Sequence, residues 1–259
     1  MPVERSWDLV VLAYDPALMP EARPLSEGLQ GAIVLDNSAE PCKFHGIHRF
    51  FTDHPEAQGY ESVFMPDDDL LLNPANLDAL FLIFESSGAH LGQPALTWDS
   101  YCSHFVTFQN KAFLYRYTNF IEVMAPIMKR EFLATALPTF RFNKSSWGLD
   151  CLWSKMCRDQ GHRVAIIDRI PVVHTRPVGG AGLYAALGVD PRQDMIQVMQ
   201  TFQVPPEPAT VFGGRLDERH GQPLSGHLAE SLVSGLNPDL IRRPEFMQLF
   251  QASLPHLGV

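Results

Sequence analysis

The sequence contains little cysteine, and its cysteines show no recognisable spacing. Four occur in 259 residues, and none belongs to a C-x-x-C pair. The paired spacing of a structural zinc site is therefore missing, and nothing indicates a disulfide framework. We expect reduced, partly buried thiols at Cys42, Cys102, Cys151 and Cys157.

Basic residues are also scarce. The 20 Lys and Arg residues are outnumbered by 29 Asp and Glu residues, which gives a formal net charge of −9, and the basic residues form no cluster. Because affinity for a phosphate backbone depends mainly on basic side chains, this composition argues against a nucleic-acid partner. An anionic ligand would need a metal ion or a few well-placed cations.

Long apolar runs are absent as well. No stretch reaches the roughly 18–20 residues that cross a bilayer, so we expect no membrane span. The opening segment MPVERSWDLVVLAYDP carries acidic side chains and only a short apolar run, which differs from a signal peptide. These features predict a soluble, cytoplasmic protein.

What is present is enough apolar material for a core, since 46% of the residues are hydrophobic. Strand-like and helix-like segments alternate in the first third of the chain, which is typical of an α/β domain with a mostly parallel central sheet flanked by helices. In such sheets, ligands bind at the carboxyl ends of the strands. The predicted strands here are residues 8–13, 32–38 and 61–65, and the predicted helices are 41–52 and 74–87.

The rest of the chain is less regular. We expect one domain over residues 1–203, followed by a loop and helical extension over 204–259 that packs on the domain or on a second copy of the chain. Further predicted elements are strands near 104–108, 119–124 and 163–174, and helices near 129–136, 149–160 and 190–203.

The run VFMPDDDLLLNP places three aspartates where an apolar strand ends. In an extended segment, side chains two residues apart share a face, so Asp67 and Asp69 are expected to point together and Asp68 to point away. Two carboxylates on one face raise each other's pKa unless a cation lies nearby. Oxygen ligands suit hard cations such as Mg²⁺ or Mn²⁺, so the run predicts a metal seat of the kind that carries a diphosphate.

Two structural alternatives are weaker. The aspartates could cap the following helix, but Asn73 already occupies the cap position, with Pro74 at the first helical residue and Gly88 after the last turn. An EF-hand calcium loop would need a glycine at its sharp turn, and this run has none.

Four other residues are candidates for chemistry. His174 ends an apolar strand and is a competent Mn²⁺ ligand if it meets Asp69, although a histidine at a strand end is often structural. Asp150 opens a helix and is either a first-turn carboxylate favoured by the helix dipole or a general base. Trp147 would offer a sugar ring an apolar platform, or belong to the core. Glu122 lies in an apolar segment and is the second candidate base.

Nearby charges bear on Glu122 and on the predicted diphosphate site. A buried Glu122 would need compensation, from Arg116 or Arg141, or from contact with an acceptor. Lys43 and Arg49 lie on one predicted helix and are candidates for diphosphate contact, although a solvated helix face explains them equally well. We place Asp68 with them in the donor-binding set.

Several segments together resemble a known family. AIVLDNS, a strand followed by DDD, GQPAL, IEVMAPIMKREF, SSWGLD and VAIIDRIPVVHTRPVGG occur in the order seen in the plant and bacterial family catalogued as domain of unknown function 707. That family looks like glycosyltransferases of the GT-A fold. The resemblance covers roughly residues 5–185, and IEVMAP, WGLD and VVHTRPVGG are its most specific parts.

The resemblance implies a nucleoside-diphosphate sugar on the first α/β half and Mn²⁺ or Mg²⁺ bridging its diphosphate. By position it assigns the metal to Asp67, Asp69 and His174, and the catalytic carboxylate of inverting members to Asp150. It places nucleoside contacts at Tyr14, Asp15 and Asp36. One departure is that plant-like members carry Trp-Asp-Glu-Asp, whereas this chain has Pro66 and Asp68 at the first and third places.

The function predicted from these residues is metal-dependent transfer of a sugar to an acceptor hydroxyl with inversion. A first alternative is a metal-dependent phosphatase with Asp67 as nucleophile, although Leu71 stands where such enzymes carry threonine or valine. A second is a non-catalytic nucleotide- or sugar-binding module whose acidic cluster is structural.

Overall fold

Short apolar runs form the strands, and the longer segments with helical spacing form the helices. The computed structural model describes residues 5–21, 24, 32–177 and 182–217. The strands are β1 (Val10–Ala13), β2 (Ile33–Asp36), β3 (Ser62–Phe64), β4 (Leu70–Leu71), β5 (Ala89–Leu96), β6 (Phe113–Thr118), β7 (Ile127–Lys129), β8 (Arg163–His174) and β9 (Val211–Leu216). The α-helices are α1 (Lys43–Asp53), α2 (Leu77–Ser87), α3 (Arg130–Ala136), α4 (Leu149–Asp159), α5 (Leu183–Leu187) and α6 (Pro191–Thr201).

The central sheet is mixed rather than mostly parallel, which corrects the prediction. Its strands lie in the order β3-β7-β5-β8-β6-β9, and β4 pairs with one end of β8. Within this sheet, as far as the chain is described, only β5 and β8 pair in parallel. The parallel pair, β5 and β8, is joined by a long connection that includes α3 and α4, as parallel neighbours require. The antiparallel neighbours β5 and β7, and β6 and β8, are not consecutive strands of the chain, so alternation along the sequence did not reveal their direction.

The first two strands form a separate pair. β1 and β2 run parallel in register from Val10 opposite Ile33 to Ala13 opposite Asp36. The apolar run of β1 predicted a strand buried on both faces, but most of it is only half-buried. Its side chains form part of the wall of a large cleft instead.

The middle of the chain departs most from the predicted elements. Residues 104–108 form a short 3-10 helix, Phe105–Thr107, and residues 119–124 form a loop rather than strands. Five strands were missed: β4, β5, β6, β7 and β9. The sequence of β5, AHLGQPAL, contains glycine, glutamine and proline, which disfavour a strand, yet most of it is fully buried at the centre of the sheet.

Helices cover the sheet and bury aromatic side chains against it. Phe44 of α1 packs edge-on against Phe140 and against Trp153 of α4, with ring centroids 5.1 and 4.8 Å apart. All three rings are fully buried. Across the described part of the chain, no helix combines the length and the apolar character that crossing a membrane requires.

The segment predicted as a C-terminal extension begins inside the sheet. β9 lies within it and pairs antiparallel with β6, from Phe113 opposite Leu216 to Thr118 opposite Val211. The remaining predicted helical part, residues 218–259, lies outside the described residues.

Candidate functional site

One cleft of about 2310 Å³ gathers most of the residues singled out from the sequence. It exceeds the roughly 300–1,000 Å³ of ordinary ligand pockets. The predicted residues on its wall are Tyr14, Lys43, Asp67, Asp68, Asp69, Glu122, Trp147, Asp150 and His174.

The pairing of β4 with β8 brings Asp69 to His174. Leu70 lies opposite His174 in this antiparallel pair, and the Thr175 amide and hydroxyl both donate to the Asp69 carbonyl, at 3.0 and 2.8 Å. The Asp69 Oδ2 atom then lies 3.4 Å from His174 Nε2. The residues are far apart in sequence, and the sheet makes them neighbours.

The orientation of His174 suits a metal ligand. Its Nδ1 lies 2.8 Å from the Tyr101 carbonyl, which can only accept a hydrogen bond, so Nδ1 carries a proton. Metal-binding histidines commonly donate one ring N–H to a carbonyl in this way and ligate through the other nitrogen. The second carboxylate oxygen of Asp69, Oδ1, is buried and has no hydrogen-bond partner. Asp69 and His174 thus fit a divalent cation that completes its shell with water and phosphate oxygens.

Asp67 is engaged differently. Its carboxylate forms an ion pair with the Lys43 ammonium, which also donates to the carbonyls of Val123 at 2.8 Å and Met65 at 3.2 Å. Burial raises the pKa of the Asp67 carboxyl, while the Lys43 charge opposes that rise. The cation predicted for this carboxylate is therefore supplied in part by the chain itself.

Replacing Lys43 with methionine is expected to lower the free energy of unfolding by about 1–3 kcal/mol, because it leaves a carboxylate and two carbonyls without their donor. Chemical denaturation measures this loss. Lys155→Met is the matched control, since Lys155 pairs with Asp159 on the surface of α4 and contributes a few tenths of a kcal/mol at most. Equal effects of the two substitutions would contradict the structural role of Lys43.

Asp68 faces away from this pair, as predicted, but Asp68 and Asp69 lie in a turn rather than in the extended segment that the prediction assumed. Its side chain is 88% exposed, and its nearest cationic partner is Arg176, 3.9 Å away. Both residues lie on the rim of the cleft. The three aspartates therefore have three environments: an ion pair with lysine, a site beside histidine, and solvent.

Glu122 lines the same cleft, in the loop to which Lys43 donates through the Val123 carbonyl. Its amide donates to Oε1 of the buried Gln93 at 2.6 Å, and the neighbouring Ile121 amide donates to Ser154 Oγ of α4 at 3.4 Å. Its Oε2 atom is buried and has no hydrogen-bond partner. The predicted pairing with Arg116 or Arg141 is wrong.

The two arginines lie near other carboxylates. Arg116 binds Asp168 through two hydrogen bonds of 2.9 Å, and both side chains are almost completely buried. Arg141 lies 3.6 Å from Glu40. The group nearest to Glu122 is instead His104, whose Nε2 lies 4.0 Å from Glu122 Oε1.

Asp150 enters the cleft at the start of α4. Gly148 precedes the helix with φ +85°, a left-handed conformation that glycine adopts without strain. Added there, a Cβ would lie 3.1 Å from Met195 Cα and from Val198 Cβ of α6. The Asp150 carboxylate accepts a hydrogen bond from the Cys151 amide at 2.8 Å, so it satisfies one backbone donor in the first turn of α4. Burial raises its pKa to about 6.

Glu122 and Asp150 influence each other electrostatically. Burial, reinforced by the charge of Asp150, raises the pKa of Glu122 to about 8. Near neutral pH, Glu122 therefore holds a proton while Asp150 is mostly ionised. Carboxyl groups whose pKa values are driven apart in this way are suited to separate acid and base roles.

Stability should fall as pH rises through this range. The folded state keeps the Glu122 proton up to about pH 8, whereas the unfolded chain releases it near 4.5, so folding is favoured at low pH and the advantage is lost as pH rises. Glu122→Gln removes this titration. We expect its unfolding free energy relative to the native protein to rise by on the order of 2 kcal/mol from about pH 5 to 9. Parallel stability curves would contradict the assignment.

Trp147 is half-buried beside Tyr184 of α5. The indole Nε1 donates to the Tyr184 hydroxyl at 2.9 Å, and the rings meet edge-on at 87° with centroids 6.2 Å apart. The backbone of Trp147 is fixed by Asn143, whose Nδ2 donates to the Trp147 carbonyl at 2.9 Å. Both residues line the cleft, and Trp147 is three positions before Asp150 in the sequence.

Three predicted donor-binding residues do not line this cleft. Asp15 caps a 3-10 helix by accepting from the Ala17 amide at 2.9 Å. Asp36 accepts from the Ser38 amide at 2.8 Å, and Arg49 donates to the Asp36 carbonyl. Asp36 and Arg49 line a separate cavity of about 190 Å³. Tyr14 does line the cleft, and burial raises its pKa above the ordinary value.

Sequence reasoning missed three residues of the cleft: His104, Arg176 and Tyr184. Arg176 follows His174 by two positions and could have been noticed on that ground. His104 was placed in a predicted strand, and Tyr184 had no local signal. Within the described ranges, no three His, Cys, Asp or Glu side chains gather as a metal-binding group. A cation here would rest on two protein ligands.

Comparisons with known proteins add little. No family model matches the chain, and no curated protein matches it. Among solved structures the chain is similar to the one described as "Crystal Structure of A197 from STIV", with 12% identity, a TM-score of 0.41, and coverage of 64% of this chain and 83% of that chain. A likeness of this degree carries no argument about function.

Proposed function

We propose that the cleft binds a nucleoside-diphosphate sugar and transfers the sugar to an acceptor hydroxyl. The observation that carries this proposal is the placement of two distinct groups on one cleft. Asp69 and His174, suited to a cation, line the cleft together, and the carboxyl groups of Glu122 and Asp150 line the same cleft. The resemblance to domain of unknown function 707 and to GT-A glycosyltransferases belongs to the same proposal.

The diphosphate end is assigned to Asp69 and His174. A bound Mn²⁺ or Mg²⁺ would neutralise charge on the departing nucleoside diphosphate. Asp67 lies beside them, and its ion pair with Lys43 holds the segment that carries the aspartates against the loop that carries Glu122. Arg176 on the rim is a further cation within reach of a phosphate group.

The acceptor end is assigned to Asp150. An ionised carboxylate with a pKa of about 6 can accept a proton from a hydroxyl as that oxygen attacks the anomeric carbon. The bond from that carbon to the diphosphate breaks as the new glycosidic bond forms, and attack from the opposite face inverts the configuration. Trp147 and Tyr184 would hold a sugar ring by apolar contact next to this base.

Thermal-shift titration tests the proposal. The protein is titrated with UDP, GDP and their sugars, each with Mn²⁺ and with a chelator, and a nucleotide that raises the melting temperature only with Mn²⁺ is the expected result. A nucleotide-sugar that passes this test is then offered with simple sugar acceptors, and the product's anomeric configuration is read by NMR. Absence of any metal-dependent nucleotide effect would overturn the proposal.

The same preparation separates the alternatives. Release of phosphate from an aryl phosphate would support the phosphatase with Asp67 as nucleophile. Nucleotide or sugar binding that is unaffected by a chelator and accompanied by no turnover would support the non-catalytic module.

A further inference from the structure

The buried carboxyl of Glu122 faces the cleft with an oxygen that nothing in the described residues satisfies. Its side chain is only 9% exposed, and Oε2 has no hydrogen-bond partner. Burying a polar atom without a partner costs free energy, so this position favours a ligand that brings a hydrogen-bond donor. The Glu122 amide donates to Oε1 of the buried Gln93 at 2.6 Å, which anchors the backbone of this residue.

The charge around this oxygen has a definite sign. In the described part of the chain, neither Glu122 nor Asp150 has a Lys or Arg within ion-pair distance. The one candidate, His104, lies 4.0 Å from Glu122, and burial lowers the pKa of its imidazole to about 4. Two carboxyl groups thus share one wall without a cation at neutral pH.

We propose that the acceptor is a hydroxylated amine, such as an amino sugar, whose protonated amine binds Glu122 while a neighbouring hydroxyl faces Asp150. An ammonium group supplies both the hydrogen-bond donor and the positive charge that this wall lacks. It also lowers the electrostatic cost of ionising both carboxyl groups. The inference rests on the proposed function only for the transfer step, since amine binding requires neither nucleotide nor metal.

The aromatic pair supports the same ligand class. Trp147 and Tyr184 stand on the cleft wall near Asp150, and the indole N–H is already used by the Tyr184 hydroxyl. The rings therefore offer their apolar faces, which attract cations and the C–H faces of sugars more than they attract neutral polar groups.

Three sugars of the same ring test the charge directly. Glucosamine, glucose and N-acetylglucosamine are titrated into the full chain by NMR, without nucleotide or metal, at about pH 7, where an aliphatic amine is mostly protonated. We expect glucosamine to bind about tenfold or more tightly than the other two, as one charge-assisted hydrogen bond implies. Equal affinity for the three sugars, or preference for a neutral one, would overturn the proposal.

Glu122→Gln tests the residue. Glu122 is protonated in the free protein near neutral pH and gives up its proton when the ammonium group binds. The glutamine keeps the shape and a hydrogen-bonding group but cannot ionise, so the preference for glucosamine should disappear. Glu56→Gln is the matched control, because Glu56 is an exposed carboxylate on the same cleft, with its side chain 74% exposed, and the preference should persist. Loss of the preference in both variants, or in neither, would overturn the proposal.

The two proposals fail separately. Metal-dependent nucleotide binding without amine preference would leave sugar transfer standing and remove the amine. Preferential binding of the amine by a protein that binds no nucleotide would leave the amine site standing and remove sugar transfer. The melting temperature of Glu122→Gln, measured first, establishes that the variant is folded.

Discussion

Replacing Arg116 with methionine is expected to lower the free energy of unfolding by about 3–5 kcal/mol. Its side chain on β6 is 1% exposed and binds the Asp168 carboxylate of β8, which is 0% exposed. The substitution leaves Asp168 buried without its cation, and that uncompensated charge, rather than the lost attraction, is the main cost. Equilibrium denaturation in urea measures the effect.

Two controls separate this mechanism from a general loss of packing. Arg158→Met removes an arginine whose ion pair with Glu207 is partly exposed, and it should cost less than about 1 kcal/mol. The double variant Arg116→Met with Asp168→Leu removes both charges and should be more stable than Arg116→Met alone. A double variant no more stable than that single variant would contradict the buried-charge explanation.

Replacing Asp69 with asparagine is expected to abolish the stabilisation of the protein by nucleotide with Mn²⁺, and to weaken metal-dependent nucleotide binding by on the order of 100-fold. The substitution keeps the size of the side chain and removes one of the two ligands that the structure places together. The thermal-shift titration described above, repeated with the variant, measures the effect.

Asp99→Asn is the matched control for this experiment. Asp99 is exposed and does not line the cleft, so the same change of group there should leave the metal-dependent shift unchanged. An Asp69→Asn protein that still shows the full metal-dependent shift would remove the metal from this pair of residues, and with it the main support for sugar transfer.

Local rules predicted several features correctly. Asn73 does accept from the Ala75 amide at the start of the helical segment, and Gly88 does end α2 with φ +65°. The spacing around residues 149–160 predicted α4 to within one residue of its end. Asp68 faces solvent and Asp69 is partly buried, as predicted, although a turn rather than strand alternation places them so.

Predictions that depended on distant partners were less successful. The predicted direction of the strands in the central sheet was wrong because neighbouring strands such as β5 and β7, or β6 and β8, are not consecutive in the chain, so the local alternation of strands and helices does not determine their pairing. One of the two alternatives for Glu122, a pairing with Arg116 or Arg141, was wrong because Arg116 pairs with Asp168 and Arg141 lies near Glu40. For Lys43 the two alternatives were contact with a diphosphate and a place on a solvated helix face. In the structure it forms an ion pair with Asp67.

Properties that depend on neighbours in the chain could be inferred before any fold was known: helix caps, the strand before the aspartates, and the need of those carboxylates for a cation. The identity of each partner could not, because it is set by contacts across long separations. Lys43 pairs with Asp67, which is 24 positions away in the sequence. Thr175 donates a hydrogen bond to the carbonyl of Asp69, which is 106 positions away. Only the folded sheet decides that one aspartate meets lysine and the next meets histidine, since burial and strand pairing, rather than composition, determine which charges come together.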